Sequence, residues 1–135
     1  YIGNSYIGEW VNLGAGTTNT NLKNNYSNII ISVNNFFVNT NSNKIGCFIG
    51  DHTKTAIGTY LNTGTVIDIA CNVVSVNNYP PKYLPPFTWF INGKEEKYIF
   101  EKFLIMVEMI KQKRGLSVSI AEKEMLKKKY DKAVN

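Results

Sequence analysis

The chain has 135 residues, is 44% apolar and carries a net charge of +5, which suits one compact core and argues against disorder. No apolar run approaches a membrane span, and no charged, apolar and cleavage regions line up as a signal peptide, so no membrane insertion is expected. Cys47 and Cys71 lie far apart, without a C-x-x-C pair or a histidine at zinc spacing; they predict buried thiols, a reducing cytoplasmic setting and no metal.

The chain opens on Tyr1 already inside a repetitive pattern, YIG at 1–3 and YIG again at 6–8, which predicts a piece of a longer polypeptide. A period of six follows. Ile7 and Leu13 form a column of large residues, with Ser5, Val11 and Thr17 as a column of small ones. The stretch VNLGAGTTNTNLKNNY at 11–26 then brings glycines, threonines, asparagines and one lysine together, the composition either of an idle polar loop or of the wall of a site. Residues 24–44 interrupt the period. SNIIISV at 27–33 and FFV at 36–38 flank Asn34-Asn35, which predicts a hairpin projecting from the repeat. The scattered asparagines match a compositional bias shared with Lys and Ile rather than a prion-like tract.

The period resumes over 49–74. Ile49, Thr55, Leu61, Ile67 and Val73 stand at steps of six, Thr53, Thr59, Thr65 and Cys71 form the small column, and Gly58 and Gly64 fall between them. A helix would repeat at 3.6 and a plain strand at 2. Short strands turning a corner every six residues fit instead, with the large residue inside, the small one at the corner and glycine relieving the turn. This predicts a mainly β chain, a hexapeptide-repeat parallel β-helix over 1–76.

NNYPPKYLPPFTWF at 77–90 holds all four prolines and predicts an extended strap over 77–93, neither helix nor sheet interior, laid down by Tyr79, Tyr83, Phe87 and Trp89. C-terminal α-helices are expected over 94–135. The first runs from about Lys94 to Arg114 with Ile99, Phe103, Met106 and Ile110 on one face and Gly115 as its stop. The second starts near Ser119, where Ser119 and Glu122 form a capping-box pattern. Residues 1–90 carry a net +1 and residues 91–135 a net +4. The basic run at 127–129 is interleaved with Met125, Leu126 and Tyr130 at helical spacing, so it reads as a solvated helix face and not a nucleic-acid patch.

With YIG at 1–3, IGEWVNLGAGT at 7–17, NLKNNY at 21–26 and GCFIGDHTKTAIGTYLNTGTVI at 46–67 in hand, the chain resembles a known family. It is similar to the C-terminal acetyltransferase domain of the bifunctional glucosamine-1-phosphate N-acetyltransferase and N-acetylglucosamine-1-phosphate uridylyltransferase proteins, in a branch lacking the NYDG motif. The resemblance implies a left-handed coil of triangular section, a handedness that runs against the general crossover rule. It also implies a homotrimer, acetyl-CoA as cosubstrate, and transfer to an amino-sugar 1-phosphate such as glucosamine 1-phosphate. By the same resemblance Tyr1, Asn12, Asn21 and Lys23 match positions that hold the sugar phosphate, and Ala15 and the backbone around Asp51 match the acetyl-CoA groove. The family's G-H-x-x-Y segment would place the catalytic histidine three positions ahead of Tyr1.

The chemistry suits these residue types. A protonated amino sugar must lose a proton before attacking a thioester, and a histidine is a natural acceptor near neutral pH. Backbone N–H groups in a glycine-rich turn can hold the oxyanion, a lysine can hold the phosphate, and asparagine amides can meet sugar hydroxyls. The competing view of Asn12 and Asn21 is that of corner residues, since asparagine tolerates left-handed backbone. His52, the chain's one histidine, follows Gly50-Asp51 at a corner; a corner hydrogen bond is its expected role, with ligand contact and base as lesser alternatives. Trp10 and Trp89 read as packing groups. The alternative function is a non-catalytic trimerisation module of a sugar-1-phosphate nucleotidyltransferase. A zinc site of the three-histidine kind needs three copies of His52 around a threefold axis, and a threonine-array binder needs outward threonines; both are set aside.

Overall fold

A computed structural model describes residues 1–75 and 77–135; Val76, the last residue of the expected coil, lies outside them. Its elements in chain order begin with β1 (Tyr6–Ile7), β2 (Asn12–Leu13) and β3 (Thr18–Asn19), followed by the hairpin strands β4 (Ile30–Val33) and β5 (Phe36–Asn39). Then come β6 (Phe48–Ile49), β7 (Lys54–Thr55), β8 (Tyr60–Leu61), β9 (Val66–Ile67) and β10 (Asn72–Val74). The chain ends with β11 (Tyr83–Leu84), β12 (Thr88–Ile91), β13 (Lys94–Lys97), α1 (Phe100–Gln112) and α2 (Ile120–Val134).

Parallel pairing stacks these short strands into three ladders. Ile7, Ile49, Ile67 and Leu84 align in the first ladder, Leu13, Thr55, Val73 and Phe90 in the second, and Asn19 and Leu61 in the third. Successive partners such as Ile49 and Ile67 are eighteen residues apart, or three six-residue steps. The partners Ile7 and Ile49 are forty-two apart, one such turn plus the twenty-four residues of the insertion. The arrangement is compatible with a β-helix, and both expected columns are buried over 49–74, whereas Ile7 in the first turn is exposed. Ile49, Leu61, Ile67 and Val73 are buried, as are Thr53, Thr59, Thr65 and Cys71.

The corners share one backbone state. Asn4, Trp10 and Gly16 before the insertion, and His52, Gly58, Gly64 and Ala70 after it, all have positive φ. Glycine adopts this conformation without strain, and the other residues are held there by the strands on either side. Gly14 has a different reason to be glycine: a Cβ on it would sit 2.6 Å from the Ala56 carbonyl oxygen of the next turn. The glycines of VNLGAGT thus serve the stacking of turns.

The insertion forms the expected hairpin, with Asn34 and Asn35 both at positive φ as a tight primed turn demands. Ile29 at its root is buried, and Ile31 lies against the Gly64 corner, so β4 runs beside β9.

The C-terminal third departs from expectation in two places. The strap is not excluded from sheets. β11 extends the first ladder and β12 lies inside the second, so the proline segment makes a further turn seventeen residues long. The prolines occupy the connections ahead of β11 and between β11 and β12, where no ladder N–H is required. The first helix begins at Phe100 and not near Lys94. Asn92-Gly93, both at positive φ, turn β12 into the antiparallel β13, an Asn-Gly hairpin signal that the helical reading of 94–99 overlooked. The buried face of α1 is accordingly Phe100, Phe103 and Val107, while Ile99 is exposed. α2 starts as expected, with the Ser119 hydroxyl accepting the Glu122 N–H at 3.1 Å.

A second core forms where the helices cover one column of corners. Trp10, His52, Ala70 and Phe87 stack there at positive φ. Phe87 meets Phe103 and Tyr130 edge to face at 5.2 and 5.1 Å, and Ala70, Tyr98, Phe100, Val107 and Leu126 complete the cluster.

Leu61→Ala, which empties the centre of the first core, should lower stability by about 2–5 kcal/mol in urea denaturation. Burial pushes the Cys71 thiol up to about 12 and raises that of Cys47 as well, so neither offers a thiolate near neutral pH. Both should resist a disulfide exchange reagent in the native protein and react once guanidinium unfolds it.

Candidate functional site

The ladder register decides which polar residues meet. On the outer surface of the second ladder Asn12, Lys54, Asn72 and Trp89 align across β2, β7, β10 and β12. Lys54 is half-buried, and its ammonium donates to the carbonyl oxygens of Trp10 at 2.6 Å and His52 at 3.2 Å. Burial lowers its pKa. A cleft of about 310 Å³ opens beside it, bounded by Trp10, Asn12, Lys54, Ile110 and Arg114. Sequence reasoning singled out Asn12 and missed Lys54, although GDHTKT was among the quoted motifs; the forty-two-residue offset between β2 and β7 was the missing signal.

The other expected ligands lie elsewhere on the coil. Asn21 donates to the Tyr1 hydroxyl at 3.1 Å and to Asn4 Oδ1 at 2.7 Å, so Tyr1 and Asn21 form one exposed cluster at the corner after β3. Lys23 follows it, with its ammonium on the Asn28 carbonyl at 3.1 Å. Ala15 sits at the next corner back, where its carbonyl accepts the Gly58 N–H at 2.8 Å. Asp51 occupies the remaining corner, its carboxylate accepting the Glu9 N–H at 2.8 Å. One chain therefore distributes the expected site over all three corners. Part of the polar stretch also faces inward. Thr17 bonds Gly14 and Thr55, and the buried Asn19 bonds Gly3 and Ser5.

No family model matches the chain. Over 67 residues it is 36% identical to a bifunctional sugar-1-phosphate nucleotidylyltransferase/acetyltransferase of Sulfurisphaera tokodaii. Half of the chain resembles a transferase. The matched stretch covers 50% of this chain and 17% of that protein, so the chain spans well under two thirds of its relative's length. Among the described residues no group of three or more His, Cys, Asp or Glu could hold a metal ion, and no helix is long and apolar enough to cross a membrane.

His52 is the chain's one histidine. Its backbone N–H donates to the Glu9 carbonyl at 2.9 Å, a bond that does not involve the side chain, so the corner hydrogen bond expected of the imidazole is not made among the described residues. The ring is buried, meets Phe103 edge to face at 5.7 Å, and makes no hydrogen bond among the described residues. A base needs an orienting partner and a path to the substrate. Instead the ring forms one wall of a cavity of about 390 Å³ beneath the helices, with Glu9, Asp51, Lys111, Glu122 and Lys129 around it. Lys111 and Glu122 are paired at 2.6 Å across α1 and α2, and the Lys111 ammonium lies 5.4 Å from the Trp10 ring centre.

Burial, and then the nearby Lys54 charge, lower the His52 pKa below its ordinary 6.5, against the opposing pull of Asp51 and Glu122. The folded state then binds fewer protons than the unfolded one below that value. The contribution is fully present above pH 6.5 and is lost as pH falls toward the depressed folded value. His52→Asn, which tolerates the left-handed corner, should flatten this loss when thermal midpoints are compared at pH 7.5 and 5.

Proposed function

We propose that the chain is the acetyl-transfer part of a cytoplasmic bifunctional sugar-1-phosphate nucleotidyltransferase, moving acetyl from acetyl-CoA to an amino-sugar 1-phosphate in UDP-N-acetylglucosamine synthesis. The observation that carries this reading is the stacking of VNLGAGT on GDHTKT in adjacent turns, in a chain whose similarity is to a protein named for both nucleotidyl and acetyl transfer. The coil is taken as left-handed and the assembly as a trimer. Separate corners of neighbouring chains would then face one another, joining the Tyr1–Asn21 cluster with the surfaces at Asn12, Ala15 and Asp51.

In this reading a histidine three positions ahead of Tyr1 takes the proton from the sugar ammonium. The freed amine attacks the thioester carbonyl carbon, the C–S bond breaks, and the thiol of coenzyme A leaves with a proton. Tyr1, Asn12 and Asn21 hold the sugar and Lys23 its phosphate. Backbone N–H groups near Ala15 and Asp51 face the acyl donor. His52 packs beneath the helices and takes no part.

Thiol release from acetyl-CoA with glucosamine 1-phosphate tests the assignment. The chain extended through its G-H-x-x-Y segment should be active, and changing that histidine to alanine should lower the rate by roughly 100-fold or more. His52→Ala should have a much smaller effect. If the 135 residues alone are fully active and His52→Ala abolishes that activity, the base is His52. If no form binds acetyl-CoA, the chain is a non-catalytic trimerisation module instead.

A further inference from the structure

We propose that the cleft between Trp10, Asn12, Lys54 and Arg114 is a binding site for the phosphoryl group of a phosphate ester. Three observations converge on it. The Lys54 ammonium is held in place by the Trp10 and His52 carbonyls, and no carboxylate lies within ion-pair distance of it among the described residues. Two neutral carbonyls orient a cation without neutralising it, and a half-buried charge left so gains more from an anion than a solvated one does.

The second observation is the composition of the cleft. Its charged side chains are Lys54 and Arg114, with no acid on its lining, and the Asn12 side chain stands in register beside Lys54. The third is the choice of basic residue. Of the fifteen lysines and arginines in the chain, Arg114 is the single arginine. It lies just beyond the end of α1, and its guanidinium makes no hydrogen bond or ion pair among the described residues. A lysine would serve an exposed surface equally well in a chain that otherwise uses lysine throughout. A planar fork of donors suits two oxygens of one phosphate. Trp10 forms the apolar wall.

The phosphate ester could be a sugar 1-phosphate or the nucleotide 3′,5′-bisphosphate of an acyl carrier. The choice of esters rests on the proposed function, with Lys54 and Arg114 in place of Lys23 as the phosphate's partners if the ester is a sugar 1-phosphate; anion binding is read without turnover, so thiol release can fail while it persists.

Isothermal titration of the full chain with inorganic phosphate, glucose 1-phosphate and adenosine 3′,5′-bisphosphate tests it. One of the two esters should bind more tightly than inorganic phosphate, and which one does so identifies the source. Added salt should weaken the binding. Arg114→Gln, at an exposed position, should weaken it roughly tenfold with an unchanged thermal midpoint, and Lys54→Met should weaken it at least as much. Because Lys54→Met removes two bonds to the coil and can unfold it, Arg114→Gln alone decides. Failure of both esters to bind, equal binding of all three anions (an adventitious ion only), or an Arg114→Gln affinity equal to the parent's would each overturn the proposal.

Discussion

The rest of the structure depends on one constraint: turns of the coil must stack in parallel register with their corners in left-handed backbone. Every interior contact follows from it. Ile49 lies over Ile67 and Thr55 over Val73 because the strands are two or three residues long and cannot slip without exposing the large column. The insertion of twenty-four residues is tolerated because it leaves at one corner and returns to the register it left, so Leu13 still meets Thr55 and Asn19 still meets Leu61.

The same constraint makes one column of corners the anchor for the helices. Trp10, His52, Ala70 and Phe87 lie above one another, and their side chains present an apolar edge that the coil cannot itself cover. Phe103 closes on both His52 and Phe87, and Leu126 and Tyr130 complete the cover from α2. The helices therefore belong to the stability of the coil. The β12–β13 hairpin supplies the turn in the chain that brings α1 back over this column.

Outward positions of the ladders are free of that demand, and polar side chains gather there. Lys54 and Asn12 share one surface because their inward neighbours Thr55 and Leu13 share one core layer. Tyr1 and Asn21 share another, one corner away. A ligand long enough to touch both surfaces must span two faces of one coil or lie between two coils.

Much of this was legible in the residues. The steps of six name the inward columns without error in the central turns, because a periodic apolar pattern and a periodic burial pattern are the same physical fact. The Asn34-Asn35 turn and the Ser119 cap were equally local, each needing only a few adjacent residues. The proline strap misled because prolines exclude a residue from donating in a ladder, not the residues on either side of them. The span 94–99 misled because helical periodicity was carried past an Asn-Gly turn. What sequence alone determined about this protein is the repeat, its core and its transferase-like motifs. What only tertiary structure decided is which outward residues meet: that Lys54 lies beside Asn12, that Arg114 borders the same cleft, and that His52 is packed against Phe103. Those pairings depend on an offset of forty-two residues and on the seating of two helices, and neither is a property of any local stretch.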